Sequence, residues 1–233
     1  MREIVLDTET TGLNPADGHR IVEIGCVELF NTIPTGEAFH AYINPMRSMP
    51  EEAFKVHGLS AEFLSAKPHF AEIAPQFLEF VGKAKIIAHN AEFDLRFLNA
   101  ELAILGLDLI PPERVIDTLA LARRRFPAGP NTLDALCARF GIDLSRRTKH
   151  GALLDAEILA EVYAELVGGR QAVLMLSAGT IFSQSSEGTL LARRPEPLPS
   201  RLSEQEVSRH RGFIAALGGT PLWDSYLPGC RAA

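Results

Sequence analysis

The N-terminal part of the chain alternates between short apolar segments and turn-forming polar segments, a pattern typical of β-strands. Apolar residues dominate positions 3–7, 20–30 and 38–43, and no segment with helical periodicity separates them. Gly36 lies between the second and third segments, where a hairpin connection needs a turn residue. The pattern therefore predicts three strands, and the lack of a helix between them predicts an antiparallel start to the sheet.

Helical periodicity dominates the next part of the chain. Apolar residues recur three and four positions apart in five segments, which we predict to be helices: 71–81, 91–105, 118–126, 132–140 and 152–167. Two short apolar segments, 85–88 and 114–116, predict further strands. Asn90 is expected to cap the second of these helices, and the glycines after residue 167 end the last one. Alternating strands and helices predict an α/β domain that ends near residue 170.

The composition changes after this domain. Residues 177–200 are rich in Ser, Gly and Pro, which is typical of a flexible linker. Residues 202–223 contain a short helical pattern and end at the only tryptophan, Trp223. We therefore divide the chain into a domain of residues 1–170, a linker segment of residues 171–200 and a tail segment of residues 201–233.

Charge and cysteine content limit the functions that the chain could have. The net charge of the 233 residues is −6, which argues against a protein that grips nucleic acid through a broad basic surface. Residues 171–233 carry six Lys or Arg against five Asp or Glu, which leaves 17 against 24 in residues 1–170. The three cysteines form no CxxC pair, so neither a zinc site nor a disulfide framework is expected. No apolar run reaches the length of a membrane span and no secretory signal is evident, so we expect a cytoplasmic protein that does not enter a membrane.

Three acidic residues stand next to predicted apolar elements. Asp7 and Glu9 end the first strand, and because side chains alternate along a strand they share one face, with Cα atoms about 6.5–7 Å apart. Asp94 falls in the first turn of a predicted helix, at the end of its apolar stripe. Each acid alone could also be solvated or complement a helix dipole. Grouped on one face, the carboxylates would repel one another unless a divalent cation bound them.

A histidine and a fourth acid lie near the last predicted helix. His150 and Asp155 are five residues apart, which is about 500° of helical rotation, so both could not face one site from a regular helix. Gly151 resolves this problem, because it places His150 on the preceding loop and Asp155 in the early turns of the helix. A loop histidine is suited to act as a general base near pH 7. Hard oxygen ligands of this kind favour Mg²⁺ or Mn²⁺.

These motifs resemble those of the DEDD exonuclease superfamily. The three motifs are DTETTG from Asp7, HNAEFD ending at Asp94, and HGALLD from His150 to Asp155. The histidine is typical of the DEDDh branch, because the sister branch has tyrosine at the position of Gly151. The stretch 133–163 is especially similar to the epsilon (DnaQ-type) proofreading subunits of bacterial DNA polymerase III. The resemblance covers nearly all of residues 2–170 and implies a ribonuclease H-like α/β fold with a mixed five-stranded sheet.

The resemblance also implies a role for each matching residue. Two divalent metal ions, Mg²⁺ or Mn²⁺, would be held by four carboxylates: Asp7, Glu9, Asp94 and Asp155. His150 would be the base that deprotonates the attacking water. Hydrolysis would release nucleoside 5′-monophosphates from a DNA 3′ end, single-stranded or frayed. Four further residues would cradle the terminal nucleotide: Thr10, Leu13, His57 and Phe93.

The tail resembles the segments by which epsilon subunits attach to their partners. A glutamine followed by apolar residues is similar to a motif that binds the β sliding clamp: Gln171, Leu174 and Leu176. The helical pattern beyond the linker is similar to a segment that binds the polymerase α subunit, with these contacts: Phe213, Leu217 and Trp223. The sequence leaves open whether a small accessory subunit binds the domain.

Two other functions remain open at the level of sequence. The same active site would serve a stand-alone DEDDh exonuclease that processes RNA 3′ ends, although such an enzyme has less need of a linker and a docking helix. A non-catalytic structural subunit of the polymerase is the other alternative, but a vestigial site should have lost a ligand or the base, and all five residues are present.

Overall fold

The computed structural model describes residues 1–145, 147, 149–168 and 202–216. The chain divides into two compact units, Met1–Leu174 and Met175–Ala233. The described part of the second unit is a single helix, Glu204–Ala216. No helix among the described residues is both long enough and apolar enough to cross a lipid bilayer.

Five strands form one mixed sheet at the centre of the first unit. Their bounds are β1 (Arg2–Thr10), β2 (Ile21–Phe30), β3 (Ile33–Tyr42), β4 (Lys85–Ala88) and β5 (Val115–Asp117). The strand order is β3-β2-β1-β4-β5, and β1 pairs with β2 antiparallel and with β4 parallel. The remaining pairs are β2 with β3, antiparallel, and β4 with β5, parallel. The mixed five-stranded sheet agrees with the prediction.

The hairpin between β2 and β3 differs from the prediction. Gly36 lies inside β3, not in the connection. The turn is formed by Asn31 and Thr32, whose φ angles are 52° and 66°, and Phe30 pairs with Ile33 across it. A two-residue hairpin turn with positive φ at both positions follows the right-handed twist of the strands, and asparagine tolerates this conformation. Without a glycine in the turn, the sequence carries no strong signal for it.

Helices cover both faces of the sheet. They are α1 (Glu51–His57), α2 (Ala61–Ser65), α3 (Phe70–Val81), α4 (Ala91–Ile104), α5 (Thr118–Arg125), α6 (Leu133–Phe140) and α7 (Ala152–Leu166), and we number the helix of the second unit α8. The first two were not predicted. The other five begin and end within about two residues of the predicted bounds.

The side chains of β1 alternate between two hydrophobic cores. Ile4 and Leu6 pack with α3 and α4, where Phe77 and Phe97 are fully buried. Val5 points to the opposite face and packs with α7. Burying a large apolar side chain contributes about 1.5–3 kcal/mol, so these two cores hold the central strand from both sides. The side chains that follow Leu6 on β1 alternate between the same two faces of the sheet.

The N-terminus of α7 lies directly on β2. A Cβ atom added at Gly25 would lie 2.2 Å from the backbone nitrogen of Leu153 and 2.4 Å from the carbonyl oxygen of Ala152. Gly25 is the strand partner of Asp7 in the register of β1 and β2. The missing side chain therefore lets α7 begin beside Asp7, which determines where the first-turn residue Asp155 is placed.

Candidate active site

The C-terminal end of β1 presents acids to one face of the sheet and a hydroxyl to the other. Asp7 and Glu9 have the same parity as Val5, so they lie on the side of α7. Thr8 faces the side of α4. Glu9 is buried, with 8% of its surface exposed, and Asp7 is partly exposed. The predicted pairing of the two acids on one face is therefore what the structure has.

Asp94 reaches the same end of β1 from α4. Its carboxylate accepts a hydrogen bond of 2.7 Å from the hydroxyl of Thr8, and the side chain is 4% exposed. The sequence predicted the position of Asp94 in the first turn but not the contact with Thr8. A hydroxyl that anchors a buried acid in this way has no signature in sequence, because the two residues are 86 positions apart.

The start of α4 is capped differently from the prediction. Asn90 occupies the N-cap position, but its backbone is left-handed, with φ 63° and ψ 49°, and its side chain makes no capping hydrogen bond. The carboxylate of Asp117 instead accepts the backbone N–H groups of Asn90 and Ala91, at 3.0 and 3.4 Å. The same carboxylate caps α5 through the N–H of Leu119. One acid at the end of β5 therefore anchors two helices that border the cleft.

His150 and Asp155 lie as the glycine between them predicted. Helix α7 begins at Ala152, so His150 is on the preceding loop, and its side chain is 49% exposed. Asp155 is in the first turn and its side chain is 4% exposed. The Nδ1 atom of His150 lies 3.1 Å from Oδ2 of Asp155. This arrangement leaves the histidine at the mouth of the cleft and the acid inside it.

Arg147 is the cation nearest to these acids among the described contacts. Its Nε donates to Oδ1 of Asp155 at 2.6 Å and its Nη2 donates to Oδ2 at 2.7 Å. The guanidinium also pairs with Asp134 and lies 2.8 Å from Nδ1 of His150. Its bidentate pair with Asp155 was not predicted from the sequence.

Burial and mutual repulsion raise the pKa values of the clustered acids. Burial raises the pKa of Asp7, and the charges of Asp94 and Glu9 raise it further. Burial, followed by the charge of Asp155, raises the pKa of Glu9 to about 8. Burial also raises the pKa of Asp94, to about 7. Clustered acids in this state are a frequent mark of a functional site, because a bound cation relieves both causes.

The donor atoms suit a divalent metal ion. One ligand atom from each of Glu9, His150 and Asp155 lies within 4.8 Å of the others. Asp7 and Asp94 line the same cleft, which has a volume of about 650 Å³. Carboxylate oxygens at this density fit Mg²⁺ or Mn²⁺, which prefer hard oxygen ligands.

A second cleft of about 580 Å³ adjoins the acids. It shares Thr8, Glu9 and Phe93 with the first cleft. All four residues that the resemblance assigned to the terminal nucleotide line it: Thr10, Leu13, His57 and Phe93. The structure thus brings the predicted substrate residues together, next to the predicted metal ligands.

His57 lines this second cleft and is held there by the backbone that follows α1. The residue is buried, and its Nδ1 accepts the backbone N–H of Leu59 at 3.0 Å. Burial lowers the pKa of His57, so the ring is neutral at pH 7 and the proton resides on Nε2. Nε2 is shielded from solvent and makes no hydrogen bond of normal geometry within the described part of the chain, although the backbone of Thr10 acts to raise the pKa of the ring.

Most of the predicted tail contacts lie outside the described residues. These are Gln171, Leu174, Leu176, Leu217 and Trp223. Phe213 is described, on α8, and is 62% exposed. The predicted helix in this segment is therefore present, while its contacts remain predictions.

Comparisons of the sequence agree with the motifs. Residues 4–163 match the model of a family described as exonuclease. The DNA polymerase III subunit epsilon of Rickettsia prowazekii (strain Madrid E) is 54% identical over 219 residues, which are 92% of this chain and 96% of that protein. The protein of the same name from Escherichia coli (strain K12) is 43% identical over 235 residues, or 95% of this chain and 97% of that protein.

Comparisons of the structure give the same fold. Exonuclease X in complex with 5′ overhanging duplex DNA is 26% identical, with a TM-score of 0.58 over 72% of this chain and 92% of that one. The nuclease domain of 3′hExo, a DEDDh family member bound to rAMP, is 17% identical, with a TM-score of 0.63 and the same coverage. The second likeness shows the fold alone. The chain therefore belongs to the exonuclease family, and its relatives group it with the epsilon subunits of DNA polymerase III.

Proposed function

We propose that this exonuclease removes mispaired 3′-terminal nucleotides from DNA by hydrolysis with two divalent metal ions, Mg²⁺ or Mn²⁺. The observation that carries the proposal is the convergence of four carboxylates and one half-exposed histidine in a single cleft: Asp7, Glu9, Asp94, Asp155 and His150. The four acids would hold the ions. When bound, the ions would lower the pKa of a water molecule and stabilise the attacking and leaving oxygens of an in-line displacement.

The protein side chains would handle the proton and the strand end. His150 would accept the proton of the attacking water, since it lies at the mouth of the cleft beside Asp155. The water oxygen would form a bond to phosphorus while the bond to the 3′ oxygen of the preceding nucleotide breaks. The products would be a nucleoside 5′-monophosphate and a strand with a new 3′ hydroxyl.

The second cleft would hold the terminal nucleotide. Leu13, which is 80% exposed, and Phe93 offer apolar surface against which a base could pack. His57 also lines this cleft and would contact the terminal nucleotide. A cleft that makes apolar contacts and few base-specific hydrogen bonds would accept all four nucleotides, as a proofreading enzyme requires.

The tail would tether the domain to the replication machinery in the cytoplasm. Residues 1–170 have seven more acidic than basic residues, so the domain alone should bind DNA weakly. The polymerase α subunit would bind near Phe213, Leu217 and Trp223. The β sliding clamp would bind near Gln171, Leu174 and Leu176. A flexible tether would raise the local concentration of 3′ ends, to roughly millimolar.

The test is to incubate the full-length protein with a 3′-mismatched primer–template and with RNA of the same length, in Mg²⁺ or in EDTA. Stepwise release of 5′-mononucleotides from the DNA, lost in EDTA, is the expected result. Strong preference for RNA would assign the chain to the processing of RNA 3′ ends. No release from either substrate would favour a structural subunit.

A further inference from the structure

Arg147 uses both oxygens of a carboxylate that the metal ions would need. Its guanidinium forms a two-point fork with Asp155, at 2.6 and 2.7 Å, and the side chain is only 9% exposed. Such planar forks are among the strongest charge-assisted hydrogen bonds in proteins. Glu9 and His150 supply the other donor atoms of the same small group. Arg147 thus lies within the candidate ion site.

A guanidinium in this position opposes a divalent cation in two ways. It neutralises most of the charge that Asp155 offers, and its own positive charge repels an ion only a few ångströms away. Because the surroundings are largely protein, solvent screens this repulsion poorly. The cost of moving the fork aside is reduced by Asp134, which already contacts Arg147 and whose side chain is 63% exposed. Asp134 can keep the arginine after Asp155 releases it.

The same guanidinium also lies close to the ring nitrogen of His150 that faces Asp155. Nδ1 of His150 faces Nη2 of Arg147 at 2.8 Å and Oδ2 of Asp155 at 3.1 Å. The guanidinium can only donate to Nδ1 and the carboxylate can only accept from it, and the shorter distance to Nη2 favours an accepting Nδ1 while Arg147 pairs with Asp155, with the proton of the neutral ring on Nε2. Once Arg147 turns to Asp134, Nδ1–H can donate to Asp155. Nε2 then has the free lone pair that a base needs.

We propose that Arg147 is an internal competitor of the metal ion at Asp155, and that its displacement by the ion also switches His150 to the tautomer that can act as a base. The chain would therefore avoid holding an active base before the ion is loaded. Arg147 is a positioning residue in this scheme. The inference rests on the proposed metal-dependent function, and the measurements are chosen so that the two can fail separately.

The first measurement is Mn²⁺ binding to the full-length protein, by titration calorimetry, for wild type, Arg147→Gln and Arg20→Gln. Arg20 is a matched control, because it makes the same fork to a buried acid, Glu101, at 2.7 and 2.6 Å. We expect Arg147→Gln to bind the first ion about tenfold more tightly, since one competing charge is removed. Arg20→Gln should lower the melting temperature and leave the Mn²⁺ affinity unchanged.

The outcomes separate the two proposals. If wild type binds no Mn²⁺, the metal site itself is wrong and both proposals fall. If wild type binds Mn²⁺ and Arg147→Gln binds it equally or more weakly, only the competition is wrong, and Arg147 merely orients Asp155. If Arg147→Gln does not fold, Arg147→Lys decides the question. It keeps the charge but not the fork, so a smaller increase in affinity is expected and an unchanged affinity overturns the proposal.

The second measurement follows the tautomer of His150 by NMR with ¹⁵N-labelled histidine, its signals identified by comparison with His150→Ala. In wild type in EDTA the proton should be on Nε2, and Mg²⁺ should move it to Nδ1. In Arg147→Gln it should be on Nδ1 even in EDTA. The same tautomer in wild type and variant in EDTA would contradict the switch.

Discussion

The two ends of β1 place acids on the same face of the sheet with opposite consequences. At the N-terminal end, Glu3 is 8% exposed and accepts a hydrogen bond of 3.0 Å from the hydroxyl of Tyr163 on α7. At the C-terminal end, Asp7 and Glu9 lie together and next to two further acids, and their pKa values are raised. One strand therefore carries a single buried acid with a neutral partner and a cluster of acids that repel one another. The comparison teaches that burial alone does not mark a functional acid, whereas clustering without sufficient compensating charge does.

Replacing an acid of the cluster should have the largest effect. Asp7→Asn removes a candidate metal ligand, so exonuclease activity should fall by about 100- to 1000-fold, as for other groups that stabilise developing charge. Because the substitution also removes a source of repulsion, the melting temperature in EDTA should stay the same or rise. Activity assays and thermal melts check both. Near-normal activity with metal, or a large drop in melting temperature, would show that Asp7, like Glu3, has a structural role and is not a metal ligand.

The packing of α7 on β2 is the next feature to break. Gly25→Ala puts a methyl group about 2.2 Å from the backbone of α7, so the helix must move away from Asp7. Overpacking of this kind typically costs about 1–3 kcal/mol, and the shift of Asp155 should lower activity by more than about tenfold. Gly212→Ala on α8, where no described atom lies within 4 Å of the added Cβ, is the control; it should leave activity unchanged and should not lower stability, since alanine favours the helix by up to about 1 kcal/mol. Denaturant unfolding and activity assays measure the effects, and a fully active Gly25→Ala would show that α7 does not set the geometry of the site.

The raised pKa of Glu9 predicts a pH dependence of stability that metal should reverse. Unfolded Glu9 loses its proton near pH 4.5, but the folded side chain keeps it until about pH 8. Between these values the native state binds more protons, so stability in EDTA should fall as pH rises, by at most about 1.4 kcal/mol per pH unit for this group. Mn²⁺ should remove the loss, because it favours the ionised carboxylate. Melting temperatures of wild type and Glu9→Gln at pH 5.5 and pH 8 test this, and equal slopes in EDTA would contradict it.

The smallest effect is expected at the other end of the strand. Tyr163→Phe removes the hydroxyl that donates to Glu3 and leaves a buried carboxyl with one partner fewer. The expected cost is about 1–3 kcal/mol of stability, with activity within about twofold of wild type. Urea unfolding measures the loss of stability, and the nuclease assay measures the activity. A larger loss of activity than of stability would mean that the two ends of β1 are coupled through α7.

Sequence patterns predicted most of the helices and strands, because the formation of each depends on residues that are close together in the chain. The strand 85–88 and the helices from residue 91 onward have clear periodicity, and the structure has them within about two residues. The short helices α1 and α2 span seven and five residues, which is too few for apolar periodicity to show. The turn at Asn31 and Thr32 was not predicted, because it contains no glycine that would indicate a turn. Local signals fail where an element is shorter than the period that reveals it.

Contacts between distant residues could not be predicted in this way. The hydroxyl of Thr8 on Asp94, the carboxylate of Asp117 on α4 and the fork of Arg147 on Asp155 each depend on how three-dimensional packing brings separate segments together. Arg147 pairs with Asp155 because a buried carboxylate attracts a nearby cation, which only the three-dimensional arrangement supplies.

By itself, the sequence determined the identity of the five candidate active-site residues, their order along the chain and the fold class that could unite them. Strand alternation put Asp7 and Glu9 on one face, and a glycine put His150 before the helix of Asp155, because both are properties of the local backbone. Only the tertiary structure decided that the acids share a cleft, that Glu3 on the same face pairs with Tyr163, and that His57 lines the adjoining cleft. The reason is that burial, repulsion and hydrogen bonding between segments depend on distances that no local pattern encodes.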